Sequence, residues 1–262
     1  MSIDEQLAAA FREVERLRQA LANCAAARET AERELTRNAA ASESATEEMQ
    51  HFIYAVSHDL RQPLRTILSF AQLLGRHPAA DKETRELTAS IVEGASDMNT
   101  LIEDLLRYSR INNSPIRTTV GLNSVVQWAW LNLQSLARET GAQLMAGDLP
   151  ELAIEESQFV QLFQELFTNS LRFRTAEPPT IEVSAEEEGD GYTISVRDNG
   201  RGIDPKYHET VFAPLKRLHG REVPGTGLGL AICRKIVRAH GGRIWVESDG
   251  QHGAAFRFTV PF

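Results

Sequence analysis

The first 45 residues carry a heptad pattern of apolar positions with charged residues between them. The residues at the two seam positions are Ile3, Leu7, Ala10, Val14, Leu17, Leu21, Cys24 and Leu35. Because steps of three and four keep apolar side chains on one helical face, residues 1–45 are predicted to form a coiled coil, most simply a parallel dimer. A single solvated amphipathic helix is the alternative. Cys24 is either a small buried apolar residue of the seam or the site of an interchain disulfide under oxidising conditions.

Residues 46–113 carry two more apolar stripes at helical spacing, separated by the short segment HPAAD at 77–81. The stripes consist of Phe52, Val56, Leu60, Leu64, Ile67, Ala71 and Leu74, and of Leu87, Ile91, Ala95, Met98, Ile102, Leu105 and Tyr108. This pattern predicts an antiparallel helical hairpin in which Val56 and Leu60 point inward. Because two helices bury little core by themselves, we expect two copies of the hairpin to form a dimeric four-helix bundle.

Residues 118–262 mix helical and alternating patterns, which predicts one α/β domain. Helices are expected at 122–140, 156–174 and 228–239, and strands at 180–185, 192–196, 243–247 and 255–260. Glycine-rich clusters occur only after about residue 115, which places the domain boundary there. The predicted fold class is therefore α plus α/β.

Composition and charge exclude several classes of protein. The 262 residues include 28 Lys and Arg against 36 Asp and Glu, so the net charge is −8. This acidic balance argues against nucleic acid as a partner, since phosphate binding needs a surplus of basic residues. The sequence shows no membrane-spanning apolar run and no secretory signal, and its two cysteines form neither a disulfide framework nor a CxxC zinc site. These features predict a cytoplasmic protein.

The segment VSHDLRQPL contains the first candidate for chemistry. His58 lies about 200° from Val56 around the helix, so its imidazole is expected to face solvent. Pro63 has no backbone N–H, which predicts a kink one turn further on. Asp59 is able to hydrogen-bond one imidazole nitrogen and leave the other nucleophilic. Taken alone, an exposed helical histidine beside an aspartate is most often incidental.

The segment ELFTNSLRF contains the second candidate. Glu165 and Asn169 are four residues apart and therefore share one helical face. Asn169 offers an amide oxygen to hydrated Mg²⁺, and Arg172 lies further along the helix for a phosphate group. As a lone pattern, polar groups at this spacing usually form a solvated stripe.

Two glycine clusters complete the candidate chemistry. DNGRGI follows a predicted strand, and Asp198 at the strand end is able to accept a hydrogen bond from an exocyclic amine such as that of adenine. Gly225, Gly227 and Gly229 precede a helix whose free N–H groups favour a polyphosphate. The spacing is neither that of the Walker loop nor that of the dinucleotide fingerprint. Each cluster alone is also compatible with a simple turn or capping loop.

The four segments in this order resemble the dimeric sensor histidine kinases of two-component signalling. SHDLRQPL is similar to the phosphoacceptor box, ELFTNSLRF to the asparagine box, and DNGRGI and GTGLGL to the two glycine boxes; VFAPLKRLH is similar to the phenylalanine-containing lid segment. The resemblance covers about residue 46 to the end. The segment from Pro214 to Ser248 is especially similar to kinases attached to phytochrome or PAS-type sensors.

The resemblance implies a domain plan and a set of site residues. Residues 46–113 would be the dimerisation and histidine phosphotransfer domain, and residues 118–262 an α/β-sandwich ATP-binding domain like that of gyrase and Hsp90. Asp198 would bind adenine, Asn169 with Glu165 would hold Mg²⁺, and the lid would span residues 204–226. The implied ATP-binding set is Asn169, Arg172, Phe173, Asp198, Gly200, Gly202, Ile203, Lys216, Arg217, Gly225, Thr226, Gly227, Leu228 and Gly229.

The resemblance also implies a reaction and its partners. The γ-phosphoryl group of ATP would pass to His58 with Asp59 as base and Glu165 assisting, and then to an aspartate on the receiver domain of a response regulator. The coiled coil begins almost at Met1, so we expect an upstream sensor domain outside this chain, or a small kinase whose signal enters through a partner. Two positions depart from the family pattern: Gln62 replaces the usual Thr or Asn, which puts phosphatase activity in doubt, and Phe173 replaces a frequent Tyr.

Two alternatives to the interpretation as a histidine kinase remain open. The first is another enzyme class on the same ATP-binding fold, such as a serine kinase or an ATPase clamp, but this class lacks a hairpin with an exposed histidine before a proline. The second is a dimeric ATP-binding scaffold or a response-regulator phosphatase that does not phosphorylate itself. A purely structural coiled-coil adaptor leaves the glycine clusters unexplained.

Overall fold

The computed structural model describes residues 53–79, 81–111, 115–217 and 225–262. The predicted coiled coil of residues 1–45, including Cys24, lies outside these residues. Within the described part of the chain, every helix is too short or too polar to cross a bilayer.

The first described element is a helical hairpin. Helix α1 covers residues 53–75 and continues through Pro63, so the expected kink does not end the helix. Helix α2 spans Lys82–Arg110 and is capped by the preceding Asp81, whose Oδ1 accepts a hydrogen bond from Thr84 N at 2.8 Å. Such an N-cap satisfies a backbone donor that has no partner inside the helix. The two helices and their short connection confirm the predicted hairpin.

The hairpin has a small interior and a large exposed apolar surface. Leu64, Ala95, Ile102 and Leu106 are buried between the two helices. Val56 and Leu60, which were expected to point inward, are 39% and 49% exposed, so the prediction is wrong for the single chain. Further apolar side chains of both helices are exposed as well: Ile67, Phe70, Leu73, Leu74, Leu87, Ile91 and Met98. One hairpin therefore buries only part of its apolar stripes.

The remaining residues form a two-layer α/β domain. A five-stranded sheet has the order β2-β4-β5-β7-β6, and β1 pairs with β3 in a separate two-stranded sheet. The strands are β1 (Thr118–Gly121), β2 (Gln143–Ala146), β3 (Glu151–Ile154), β4 (Thr180–Glu188), β5 (Gly191–Asp198), β6 (Ile244–Glu247) and β7 (Ala255–Pro261). β2 runs parallel to β4, and the other pairs are antiparallel. The predicted α/β fold is confirmed.

Among the described residues of this domain, four α-helices accompany the sheet, and α5 lies at the centre of the core. They are α3 (Leu122–Leu131), α4 (Gln134–Thr140), α5 (Glu156–Arg172) and α6 (Gly229–Ala239). Phe159 and Phe163 on α5 make ring contacts with Phe258 on β7, with centroids 6.2 and 6.0 Å apart. On β7, alternate residues such as Phe256 and Phe258 point inward, as expected for a strand with one buried face.

The structure differs from the prediction at several elements. Residues 122–140 form two helices rather than one, because the chain turns at Asn132 and Leu133, where Leu133 N bonds Trp130 O at 2.9 Å. Strands β1, β2 and β3 were missed. Each has only four residues, and in β2 only Leu144 is turned away from solvent, so no alternation is readable.

Candidate functional site

Helix α5 presents one polar face opposite its buried apolar face. Phe159, Phe163 and Phe167 are fully buried at four-residue spacing. Glu165, Asn169 and Arg172 project from the other side and line a cavity of about 300 Å³. The 3.6-residue period of the helix therefore places the polar segment ELFTNSLRF at a cavity while its apolar residues hold the sheet.

Most of the predicted nucleotide residues line this cavity. They are Glu165, Asn169, Arg172, Phe173, Asp198, Gly202, Ile203, Lys216, Arg217, Gly225, Thr226, Gly227 and Gly229. Two members of the predicted set do not. Leu228 is 1% exposed and packs in the core, because its side chain points away from the loop. Gly200 shapes the turn next to the cavity, where its N–H donates to Asp198 Oδ1 at 2.8 Å.

Asp198 stands at the end of β5 with its carboxylate held by several donors. Oδ1 accepts from Gly200 N at 2.8 Å and from Ala254 N at 3.3 Å, and Oδ2 accepts from Ser170 Oγ at 3.1 Å. Burial raises the pKa of Asp198, and these hydrogen bonds act in the opposite direction. The carboxylate is thus fixed in orientation, as a group that recognises one edge of a ligand must be.

The glycine loop before α6 comes close to the opposite side of the cavity. Gly227 has a φ of +76°, and a Cβ atom there would lie 2.9 Å from the backbone of Leu215 and of Lys216. Leu215 itself has a φ of +59°, an uncommon conformation for a residue with a side chain. Only glycine permits this close approach. Gly229, the first residue of α6, also lines the cavity.

Glu165 provides the carboxyl group of the polar face. Its side chain is 18% exposed, and Oε1 accepts from Arg107 at 3.4 Å. Burial raises the pKa of Glu165, and the nearby Asp104 carboxylate raises it further, whereas Arg107 and Arg172 lower it. A Cβ atom on Gly229 would lie 2.6 Å from Glu165 Oε2, so the first turn of α6 lies directly against this carboxylate.

The donor atoms of the cavity fit a magnesium ion shared with a nucleotide. Asn169 and Glu165 supply oxygen atoms, the type that Mg²⁺ prefers. Within the described ranges, no group of three or more His, Cys, Asp and Glu side chains is arranged to hold a metal ion without further ligands. Mg²⁺ is usually bound by one or two protein groups together with phosphate oxygens, which matches this sparse set.

His58 is exposed on α1, away from the cavity lining. Its side chain is 70% exposed, and Nδ1 lies 3.3 Å from Asp59 Oδ1, as the sequence predicts. Neither residue lines the cavity, and Gln62 is exposed one turn beyond. The described residues therefore present an accessible His–Asp pair and a separate nucleotide-sized cavity.

Sequence reasoning missed a contribution from the hairpin. Thr100, Asp104 and Arg107 of α2 line the cavity beside the α/β domain. Asp104 and Arg107 form an i,i+3 ion pair at 2.7 Å. The spacing of this pair is visible in the sequence, but it predicts only a contact within α2 and not a place in the cavity. The face of α2 that meets the α/β domain is set by tertiary packing and cannot be read from helical periodicity.

Comparisons with known proteins agree with this arrangement. Residues 48–114 match the His Kinase A (phospho-acceptor) domain, and residues 154–262 match the histidine kinase-, DNA gyrase B- and HSP90-like ATPase domain. Cyanobacterial phytochrome A of Nostoc sp. is 41% identical over 84% of this chain, and phytochrome-like protein Cph1 of Synechocystis sp. is 36% identical over 84%. The chain spans only 29% and 30% of the lengths of these relatives.

Solved structures share the fold. Full-length ShkA, crystallised in complex with AMPPNP, has a TM-score of 0.63 and 24% identity. The match covers 81% of this chain and 46% of the ShkA chain. Histidine kinase ThkA, crystallised with the response regulator protein TrrA, has a TM-score of 0.57 and 22% identity. The match covers 80% of this chain and 61% of the matched chain. The two matched domains together extend over more than half of the 262 residues, with the phospho-acceptor domain before the ATPase domain. The chain belongs to the sensor histidine kinase family.

Proposed function

We propose that this protein is an ATP-dependent histidine kinase that phosphorylates its own His58 and passes the phosphoryl group to an aspartate of a response regulator. The observation that carries the proposal is the cavity between α5 and the glycine loop, which brings Asp198, Asn169 and Gly227 together in a chain that also exposes His58 beside Asp59. The acceptor pair lies 110 to 169 positions before these cavity residues in the sequence, so one chain supplies both a nucleotide site and an acceptor.

Each end of the cavity has a chemistry suited to one part of ATP. The fixed Asp198 carboxylate accepts a hydrogen bond from the amino group of adenine. Arg172, Lys216 and Arg217 provide positive charge for phosphate oxygens, and the N-terminus of α6 provides free N–H groups. Asn169 and Glu165 would hold a magnesium ion, which would neutralise phosphate charge.

Asp59 prepares the imidazole of His58 for phosphoryl transfer. When the Nδ1–H group of His58 donates a hydrogen bond to Asp59 Oδ1, the free lone pair of the ring lies on Nε2. Nε2 forms a bond to the γ-phosphorus as the bond from that phosphorus to the β,γ-bridging oxygen breaks, and ADP leaves with the bond electrons. Asp59 takes the Nδ1 proton, so the phosphorylated ring remains neutral. Such transfer depends mainly on positioning and on neutralised charge.

The partners follow from the exposed surfaces and the relatives. The apolar face of the hairpin, which includes Ile67, Leu74 and Met98, favours a homodimer in which two hairpins form a four-helix bundle. ThkA is described in complex with a response regulator protein, which supports a receiver domain as the second partner here. The phytochrome relatives support a longer sensor protein as the context of these domains.

The test is incubation with γ-labelled ATP and Mg²⁺, followed by acid and alkali treatment of the labelled protein. Phosphohistidine is lost in acid and retained in alkali. We expect His58→Gln to abolish labelling with ATP binding unchanged, and Asn169→Ala to abolish both. His252→Gln is the matched control, because His252 is also an exposed histidine paired with an aspartate, at 2.7 Å from Asp249, but lies in the α/β domain.

The outcomes separate the candidate functions. Label that persists in His58→Gln refutes the assigned acceptor. A wild-type protein that binds ATP without labelling favours the alternative of a non-phosphorylating scaffold or a phosphatase. A wild-type protein that binds no ATP refutes the nucleotide site itself. Transfer is then tested by adding a purified receiver domain and following loss of label from the kinase.

A further inference from the structure

Helix α2 of the hairpin inserts charged side chains into the cavity assigned to the nucleotide. Thr226 Oγ1, in the glycine loop, donates a hydrogen bond to Asp104 Oδ2. Arg107 binds the same carboxylate at 2.7 Å and Glu165 of α5 at 3.4 Å. Asp104 is 14% exposed, so its charge is largely shielded from water. One acidic side chain of the hairpin thus contacts the loop that lies at the start of α6.

A second contact joins the next turn of α2 to helix α6 of the α/β domain. Lys235 Nζ on α6 donates to the backbone oxygen of Tyr108 at 2.9 Å and lies 4.8 Å from the centroid of the Tyr108 ring. A lysine that is both hydrogen-bonded and placed over an aromatic face is held in position. The two contacts are four residues apart on α2, so one face of that helix docks along α6 and its preceding loop.

The groups held by α2 are those that a triphosphate would need. Thr226 belongs to the glycine loop, and Glu165 is the assigned partner of the magnesium ion. The Asp104 carboxylate lies beside both, where it repels phosphate oxygens, and in a partly dehydrated cavity such repulsion is stronger than in water. Adenine, by contrast, is assigned to Asp198, whose carboxylate is hydrogen-bonded by Ser170, Gly200 and Ala254 of the α/β domain.

We propose that Asp104, together with Arg107 and Thr226, forms a latch that holds α2 in the phosphate end of the cavity and must open before a triphosphate binds. The proposal rests on the proposed nucleotide site and adds its regulation. The latch makes docking of the hairpin and binding of the triphosphate competing events, and by linkage each weakens the other. A change in the packing of α2 thereby becomes a change in ATP affinity.

The test is the affinity of the full chain for ATP and for adenosine, measured by calorimetry with Asp104→Asn. The amide keeps the size of the side chain and a hydrogen-bond acceptor for Thr226 but removes the charge. We expect the Kd for ATP to fall about five- to tenfold, the range of a modest coupling between two sites. The Kd for adenosine should change less than about twofold, because adenosine carries no phosphate to repel. Asp97→Asn, an exposed residue of α2 outside the cavity, is the control and should leave both affinities unchanged.

A second readout needs no nucleotide. Because the latch stabilises the docked state, Asp104→Ala should lower the thermal midpoint of the nucleotide-free protein, while Asp97→Ala should not. Unchanged ATP affinity in Asp104→Asn, or an equal gain for adenosine and ATP, overturns the latch and leaves the proposed function intact. Failure of both wild type and Asp104→Asn to bind ATP overturns the proposed function together with the latch. ATP binding that appears only in Asp104→Asn supports both.

Discussion

The α/β domain and the helical hairpin bury their apolar side chains in different ways. In the α/β domain, Phe159, Phe163 and Phe258 are fully buried within one chain. In the hairpin, Phe70 and Leu73 are 67% and 66% exposed, on helices whose shared interior contains only a few aliphatic residues. Contiguous exposed apolar surface of this kind marks an interaction site. The comparison teaches that the α/β domain buries its aromatic core within the single chain, whereas much of the apolar surface of the hairpin is left exposed, as the proposed homodimer requires.

The largest expected effect comes from truncating the same residue type in each region. Phe163→Ala removes a fully buried ring that contacts Phe167 and Phe258, so the free energy of unfolding of the α/β domain should fall by about 3–5 kcal/mol. Phe70→Ala removes an exposed ring of the hairpin and should leave that transition unchanged. Denaturant unfolding followed by circular dichroism checks both. Equal losses in the two variants would show that the regions do not differ as described.

The second prediction tests whether the hairpin depends on a partner copy. Ile67→Glu places a charge in the exposed apolar face and should raise the dimer Kd about 30-fold or more, equivalent to about 2 kcal/mol. Analytical ultracentrifugation over a concentration series measures this change. Gln72→Glu is the control, since Gln72 is an exposed polar residue of α1 that lies near Arg65 and Arg110.

The nucleotide domain provides a check on the same variant. ATP binding by the Ile67→Glu protein should remain, because the cavity is lined without any residue of α1. An unaltered dimer would mean that the exposed face is not the interface. Loss of ATP binding along with the dimer would show that the α/β domain also depends on the second copy.

The third prediction separates folding from binding inside the α/β domain. Gly227→Ala forces a side chain into a backbone with a φ of +76° and against Leu215 and Lys216, so the loop must move. We expect ATP affinity to fall about tenfold with only a small change in the unfolding transition, because the loop lies outside the core. Gly121→Ala is the control: Gly121 has a φ of −67° and open space around the added methyl group. A Gly227→Ala protein with wild-type affinity would remove the glycine loop from the site.

The elements that sequence patterns predicted correctly are those with one strongly buried face. On α5 the aromatic residues recur at helical spacing, and on β4 and β5 alternation is clear, so their existence and order are confirmed. Short strands such as β2 bury too little to leave a pattern. The break at Asn132 escapes detection because apolar residues continue on both sides of it.

The residues of the candidate site also fall into a group that the sequence could predict and a group that it could not. Glu165, Asn169 and Arg172 could be predicted to share a cavity, because one helix fixes their spacing. Asp104 and Arg107 could not, because their place depends on how two folded regions dock. The exposure of Val56 was also hidden, since periodicity identifies an apolar face but does not tell whether it meets the same chain or another. The predicted domain bounds at 45, 113 and 118 and the roles of the site residues stay predictions.

The smallest expected effect concerns a histidine of the α/β core. His240 is buried, with its ring 4.9 Å from that of Phe159, and Nε2 accepts a hydrogen bond from Glu155 N at 3.1 Å. Burial lowers the pKa of His240 below its ordinary value of 6.5. The unfolded chain therefore takes up a proton as the pH falls through about 6.5, while the folded protein stays neutral to lower pH. It follows that the free energy of unfolding should fall as the pH drops below about 6.5.

Urea unfolding at pH 7.5, 6.5 and 5.5 measures this dependence, and His240→Gln isolates it. Glutamine does not titrate and keeps an oxygen acceptor for Glu155 N, so the part of the pH dependence that belongs to His240 should disappear in the variant. His58→Gln is the control from the other region, because that side chain is 70% exposed and makes no core contact. If His240→Gln keeps the full wild-type loss of stability at pH 5.5, another group is responsible. His240 and His58 would then not differ in their effect on the pH dependence of stability.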